Sequence, residues 1–552
     1  MAGPNLRQRI GHGFVSRQVV AENAAIAAAQ QGAGAEGFAP LAVGGAKGEA
    51  FFDFMFGELR GKGLKADDAP LFELAKAMVE PDLAANDPGQ AALDNPAIPA
   101  GFTYLGQFVD HDITLDLTPL ADAQADPEMT RNFRTPGLDL DCVYGAGPGP
   151  HRFLFERAPN SSGEMVDTPK LLLGTAEATR ENVDKPAGSQ VKQLVGHDLP
   201  RNAQGVALIG DHRNDENLIV AQLHLAFLKF HNAVVEHLRG TVPDNELFNE
   251  ASKTVRWHYQ WMVLHDWVER LTETGIVARI LHEGRKFYRF KTKPFMPWEF
   301  SGAAYRLGHS MVRPRYNHNR IFRSPDPHLA EGTFNFFFRF TNLSGGLDSG
   351  TPGQGTFPSN WAIDWRRYFD LPAPPAIKAE FNHSRRLDAL LASELGRLPG
   401  SDTPEKASLA FRNLRRGVQI GLPSGQDVAA LMREKIAFDP ISAAEIAADG
   451  PDGPVAKSLG FHDKTPLWYY ILKEASIRGG GKKLGPVGAR IIAETFIGIV
   501  QGDAASYLSQ PGWKPHLPAA TPGTFFMTDL LKFVAAAGDP NGVADPLNPV
   551  GD

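Results

Sequence analysis

The chain has 552 residues, 43% of them hydrophobic and 22% charged, and carries a formal net charge of -7. That apolar share suffices for a large core, and the acidic balance argues against a nucleic-acid surface. The single cysteine, Cys142, rules out an intrachain disulfide, while 56 glycines and 42 prolines predict long connections between ordered elements.

Residues 1–50 are rich in Ala, Gly and Gln without clear periodicity and read as a partly flexible N-terminal arm. They show neither the charged start nor the cleavage site of a secretory signal. No apolar run reads as long enough to span a bilayer. A cytoplasmic protein without an integral membrane segment is therefore expected, and unconventional export would leave no trace in the sequence. Residues 51–83 predict one or two short helices, and Asp87 to Pro99 reads as loop.

The next stretch, Gly106-Gln-Phe-Val-Asp-His-Asp112, predicts a helix buried at its centre. Gln107 and His111 then share a face at i, i+4, while Asp110 and Asp112 diverge to either side. Residues 116–150 are turn-rich. If the stretch from Thr135 to Gly145 is extended, Asp139 and Asp141 point the same way and offer oxygens to a hard cation; a solvated acidic loop reads equally well.

Leu208 to Leu238 predicts the longest helix, preceded by Gly210-Asp-His-Arg-Asn-Asp-Glu216, whose arginine and glutamate suit a capping arrangement. A second helix is expected over Ser252–Leu271. Ala303–Met311 reads as a helix ending before Pro314, and its His309 reads either as a core residue or as a ligand. Residues 334–340 are an aromatic block, read as core packing or as the wall of a hydrophobic channel. Residues 344–360 are a glycine-rich loop. Ala407–Pro423 contains Arg412-Asn-Leu-Arg-Arg416 and Gly421-Leu-Pro423, and Leu484–Leu508 predicts a late amphipathic helix. With no repeat and no clean linker, one large helical body is expected over residues 51–552.

Together these segments resemble the animal-type haem peroxidase (peroxidase–cyclooxygenase) superfamily. Five separated motifs occur in the family's order: G-Q-F-V-D-H-D at 106–112, T-x-G-x-D-x-D-x-V-Y-G at 135–145, G-D-x-R-x-x-E at 210–216, Y-R-x-G-H at 305–309, and R-N-L-R-R with G-L-P at 412–423. The resemblance is strongest over 100–510. It implies a mainly α, single-body peroxidase fold with long loops and little β structure. It further implies haem b as cofactor, and hydrogen peroxide or an organic hydroperoxide with a small organic, halide or thiocyanate donor as substrates, through an oxyferryl intermediate.

Carried over residue by residue, His111 resembles the distal histidine, Arg213 the distal arginine and Gln107 the distal glutamine. His309 resembles the proximal iron ligand, Asn413 the asparagine that accepts its other ring N–H, and Arg306 and Arg416 the arginines near the haem propionates. Asp110 and Glu216 match the carboxylates that form ester links to haem in this family. Some members carry a methionine directly after that glutamate; Asn217 stands there, so no sulfonium link is expected. Asp112, Thr135, Gly137, Asp139 and Asp141 match the family calcium site, with Gly137 giving only its carbonyl and Asp141 replacing the usual serine.

Two other readings follow from the same resemblance. Fatty-acid dioxygenases of the superfamily carry a radical tyrosine three residues before the proximal histidine. That position is Arg306 here, and Tyr305 lies one residue back, turned by roughly 100° on a helix. A haem-binding protein with little turnover is the other, since the arm and the 344–360 loop have no family counterpart. The sequence leaves the oligomeric state and the physiological donor open.

Overall fold

The computed structural model describes residues 7–10, 13–16, 50–84, 87–115, 131–132, 134–180, 193–194, 196–323, 331–341, 357–398, 401, 403–538, 545 and 547–550. Most of the N-terminal arm and residues 344–356 of the glycine-rich loop lie outside them. Helices dominate, and every sheet among the described residues has only two or three short strands. The largest concerns the site: β1 (Ala50–Asp53) pairs antiparallel with β2 (Arg131–Asn132) and parallel with β3 (Met296–Pro297).

Among the described residues, eight α-helices of ten residues or more frame the core: α1 (Asp68–Ala77), α2 (Gly101–Ile113), α3 (Leu218–Leu238), α4 (Leu247–Met262), α5 (Leu409–Ile420), α6 (Leu467–Gly479), α7 (Pro486–Gly502) and α8 (Met527–Ala537). In α2 every residue except Gln107 and Asp110 is buried, so the helix runs through the core and presents one narrow half-buried strip. Two glycines permit this. A Cβ at Gly101 would fall 2.4 Å from Phe369 and one at Gly106 would fall 2.7 Å from Trp267. The opposite side packs on α3, where Phe108 stacks on Phe227 with centroids 4.4 Å apart.

The structure corrects several sequence expectations. The long helix starts at Leu218, because Asn217 caps it by accepting from Val220 N (3.0 Å), and the residues before it form a 3-10 turn, His212–Asp215. This α3 is itself long and apolar enough to cross a membrane, contrary to the sequence reading, but its apolar window is 89% buried inside the protein. The second helix widens into a π turn at Val263–Val268. The segment carrying His309 is a 3-10 helix, Ala304–His309. The late helix is not amphipathic: Val487 through Val500 are all buried, so α7 is a core helix. Its N-terminus is capped from α6, where the Glu474 carboxylate accepts from Val487 N and Gly488 N (2.9 and 3.3 Å).

Candidate active site

One cavity is lined by α2 with the His212–Asp215 turn, which form one wall, and by the Ala304–His309 segment with α5, which form another. The strip of α2 that escapes burial, Gln107 and Asp110, faces it together with His111. Arg213, Glu216 and Asn217 add to that wall; Arg306, His309, Arg412 and Arg416 line the other.

The His111 wall is held by hydrogen bonds that fix each polar group. His111 Nδ1 lies 2.8 Å from Asn214 Oδ1, and its Nε2 is buried with no protein partner. Because an amide oxygen only accepts, Nδ1 carries the proton and Nε2 keeps its lone pair. Burial, reinforced by the Arg213 charge, lowers the His111 pKa to about 3, so the ring is neutral at ordinary pH. Arg213 is clamped: Nε and Nη2 donate to the buried Asp211 (3.1 and 2.8 Å), and Nη2 also reaches the carbonyls of His111 (3.0 Å) and Thr114 (2.6 Å). Gln107 accepts from Asn217 Nδ2 at 3.0 Å, so Asn217 both caps α3 and orients the glutamine. Burial raises the Glu216 pKa to about 8 and pushes that of Asp110 up.

On the second wall His309 Nδ1 lies 2.7 Å from Asn413 Nδ2. Here the structure departs from the expected polarity. The amide turns its Nδ2, not its oxygen, toward the ring, because Arg306 Nη1 takes Oδ1 at 3.3 Å and a guanidinium has only donors to offer. Burial, with the Arg306 charge second, lowers the His309 pKa to about 3. Beside it, a Cβ placed on Gly308 would meet nothing within 4 Å, so the cavity floor is open there.

Behind His111 stands an acidic cluster. Asp112, Asp139 and Asp141 each place an oxygen within 4.8 Å of the others. They converge because Leu140 adopts a left-handed conformation (φ 58), not because the loop is extended. Asp112 Oδ1 is buried without a partner, and burial beside Asp141 raises the Asp112 pKa to about 8. The sequence reading missed Arg134, which binds Asp141 (2.7 Å) and Asp211 (2.5 Å) and so ties the cluster to the arginine clamp. Thr135 and Gly137 form the turn leading in, with Gly137 N donating to Thr135 O (2.8 Å); Thr135 is exposed.

The cavity has further walls. Phe334, Phe337 and Phe338 of the aromatic block are buried and line it, so the block is core and cavity wall at once. Tyr305 also lines it despite its shift from the Arg306 position, with its hydroxyl accepting from Trp267 Nε1 at 2.9 Å. Arg412, Asn214, His224 and Tyr104 were not singled out by sequence; Arg412 and Asn214 lay within quoted motifs, at 412–416 and 210–216, and His224 and Tyr104 lay outside all of them.

A mainly helical body with small sheets is the peroxidase–cyclooxygenase fold of its structural neighbours. Peroxidase A of Dictyostelium discoideum superposes with a TM-score of 0.52 at 14% identity, covering 90% of this chain and 95% of that one. The Oryza sativa fatty acid alpha-dioxygenase does so with 0.50 at 16%, covering 81% and 74%. Residues 118–360 match the family model for animal haem peroxidase. Chorion peroxidase of Drosophila melanogaster is 26% identical over 321 residues, 55% of this chain and 35% of its own length. Thyroid peroxidase of Sus scrofa is 26% identical over 392 residues, 69% of this chain and 38% of its own. The chain thus spans well under half of these curated relatives.

Proposed function

We propose that the protein is a haem peroxidase that reduces hydrogen peroxide or an organic hydroperoxide and oxidises a small donor. One observation carries this reading: a neutral imidazole whose buried Nε2 has no partner among the described residues lines one cavity together with a second neutral imidazole carried by a distant segment. The residues fit haem b. His309 would supply a ring nitrogen for iron once a propionate draws Arg306 away and the Asn413 amide turns its oxygen to Nδ1, Gly308 leaves room beside it, and Arg306 and Arg416 suit the propionates. Asp110 and Glu216 line the cavity where ester links to its methyl groups would form. When bound, the haem supplies two-electron reduction of the O–O bond.

The chain's own residues do the rest. His111 Nε2 accepts the first proton of the hydroperoxide and returns it to the departing oxygen. Arg213, immobilised by Asp211, offers fixed positive charge to the oxygen that becomes negative. Gln107, held by Asn217, positions the polar end of the substrate. Asp112, Asp139 and Asp141 would hold Ca2+, which balances three neighbouring carboxylates and ties the residue after His111 to a distant loop. The phenylalanine wall favours aromatic donors or lipid hydroperoxides over small anions.

A dioxygenase reading has one observation in its favour, the presence of Tyr305 on the cavity wall, and one against it: the tyrosine's hydroxyl is occupied by Trp267.

The test is an absorption spectrum of haem-loaded protein before and after one equivalent of hydrogen peroxide. A prompt shift of the Soret band with peroxide consumption is expected. Bound haem that ignores peroxide overturns the reading, and oxygen uptake with a fatty acid favours the dioxygenase.

A further inference from the structure

Three buried tyrosines lead away from the cavity. Tyr104, on α2 one turn before Gln107, lines it. Its ring meets Tyr316 edge-on with centroids 5.8 Å apart, and Tyr316 stacks on Tyr368 at 5.7 Å with an interplanar angle of 18°. Tyr316 and Tyr368 are 1% and 0% exposed, so the ladder is dry.

The far rung differs from the others in its hydrogen bond. The Tyr368 hydroxyl lies 3.2 Å from His318 Nδ1, and His318 Nε2 lies 2.7 Å from the carbonyl oxygen of Trp361. A carbonyl only accepts, so Nε2 carries the ring proton, Nδ1 carries a lone pair, and the phenol donates to it. This is the arrangement a phenol needs for oxidation in a dry interior. A phenol that loses an electron becomes a strong acid, and without a base within hydrogen-bond reach it would be left as a buried cation.

We propose that Tyr368 is a redox-active tyrosine that stores one oxidising equivalent outside the cavity, with His318 as its proton acceptor. The oxidant is one of the two oxidising equivalents that reduction of a hydroperoxide leaves in the cavity, the other staying there for the donor, and to that extent the inference rests on the proposed peroxidase reading. An electron passes from Tyr368 through Tyr316 and Tyr104 to the cavity, which is reduced by one electron. The Tyr368 O–H bond breaks, its proton moves to His318 Nδ1, and a neutral phenoxyl radical remains. A donor returns the electron and the proton travels back. Burial lowers the His318 pKa to about 4, which keeps the acceptor free and makes its protonated form short-lived once the electron returns.

The molecule contains its own control. Tyr144 is bonded to His231 Nδ1 at 3.0 Å, and His231 Nε2 faces the Pro169 carbonyl at 2.9 Å, the same local chemistry. Among the described residues its ring neighbours are His231 and Phe248, and none is a tyrosine.

The experiment is electron paramagnetic resonance of haem-loaded full-length protein, frozen after mixing with one equivalent of hydrogen peroxide. An organic radical is expected whose hyperfine structure collapses with ring-deuterated tyrosine. It should be lost or reduced several-fold in Tyr368→Phe and unchanged in Tyr144→Phe. In His318→Gln, which leaves Tyr368 in place, its g-anisotropy should shift, since that anisotropy reports the hydrogen bond to the phenoxyl oxygen. A radical identical in parent, Tyr368→Phe and His318→Gln overturns the proposal. So does the absence of a tyrosine radical when the haem absorption responds to peroxide. If the absorption does not respond, the peroxidase reading fails separately. The same measurement is then made with zinc protoporphyrin in the cavity, photo-oxidised in the presence of a cobalt(III) acceptor. A Tyr368-dependent radical under light upholds the inference, and none overturns it.

Discussion

Asn214 stands between two histidines and sets the tautomer of His111. Its Oδ1 lies 2.8 Å from His111 Nδ1 and its Nδ2 lies 2.9 Å from His224 Nδ1. His224 is also buried and held neutral by burial, which lowers its pKa to about 3, so its Nδ1 accepts from the amide and fixes which way the amide faces. The proton of His111 is thereby kept on Nδ1 and the lone pair of Nε2 is kept for the cavity. Orienting partners of this kind are commonly worth about 10–100-fold in function. We expect Asn214→Leu to bind haem normally yet react with hydrogen peroxide about 10–100-fold more slowly, measured by stopped-flow absorption. An unchanged rate would show that His111 holds its tautomer without help.

Much of this site was legible in the sequence because its chemistry is packed into short segments. Gln107, Asp110, His111 and Asp112 fall within one and a half helical turns, and a helix alone decides that Gln107 and His111 face one way while Asp112 faces another. What could not be read depends on contacts between distant segments. Asn214 acquires its role from a partner 103 residues away, and Arg134 from the folding of Asp211 beside Asp141. The amphipathic expectation for 484–508 failed because the polar positions of α7 are buried too: Glu494 accepts from the backbone N–H groups of Lys286, Phe287 and Tyr288 and from Arg490, partners that hydropathy does not reveal. Convergence of Asp139 and Asp141 was foreseen for the wrong reason, since a left-handed Leu140 rather than strand alternation brings them together.

The second wall makes its own prediction. Arg306 and His309 compete for Asn413: while Arg306 Nη1 takes Oδ1, only Nδ2 is left for the ring. An anion in the cavity that draws Arg306 away would free the amide to turn over and accept the ring N–H, leaving His309 Nε2 basic for iron. His309→Ala should lose haem outright. Asn413→Leu should keep the histidine but lower haem affinity or activity by about 10–100-fold, with a weakened iron–histidine stretch in the resonance Raman spectrum of the reduced protein. An unshifted stretch would remove Asn413 from the account.

Gly106 tests how tightly the first wall is built. Replacing a mid-helix glycine by alanine ordinarily stabilises by about 0.5–1 kcal/mol. Here the new Cβ would sit 2.7 Å from Trp267, whose indole is pinned by Tyr305. Overpacking of that kind costs about 1–3 kcal/mol, so the clash outweighs the gain in helix propensity. Gly106→Ala should lower the melting temperature in calorimetry, and a variant that melts higher would show that Trp267 is free to move aside.

The acidic cluster predicts opposite pH trends with and without calcium. In the metal-free fold the Asp112 pKa rises from the ordinary 3.8 to about 8, by burial first and by the neighbouring Asp141 charge second. Between those values the folded protein holds a proton that the unfolded chain has released. Metal-free stability from this group is therefore present at low pH and is lost as pH rises toward about 8. Calcium needs the ionised carboxylates, so its affinity climbs over the same interval and each binding event expels protons. Ligand at about 100 times its Kd adds about 2.7 kcal/mol. Calorimetry with chelator and with calcium should therefore give melting temperatures that diverge as pH rises, with proton release detectable in weakly buffered solution. Asp139→Ala should erase the divergence. If the gap between the two conditions stays constant from acid to neutral pH, the three carboxylates do not share a calcium ion.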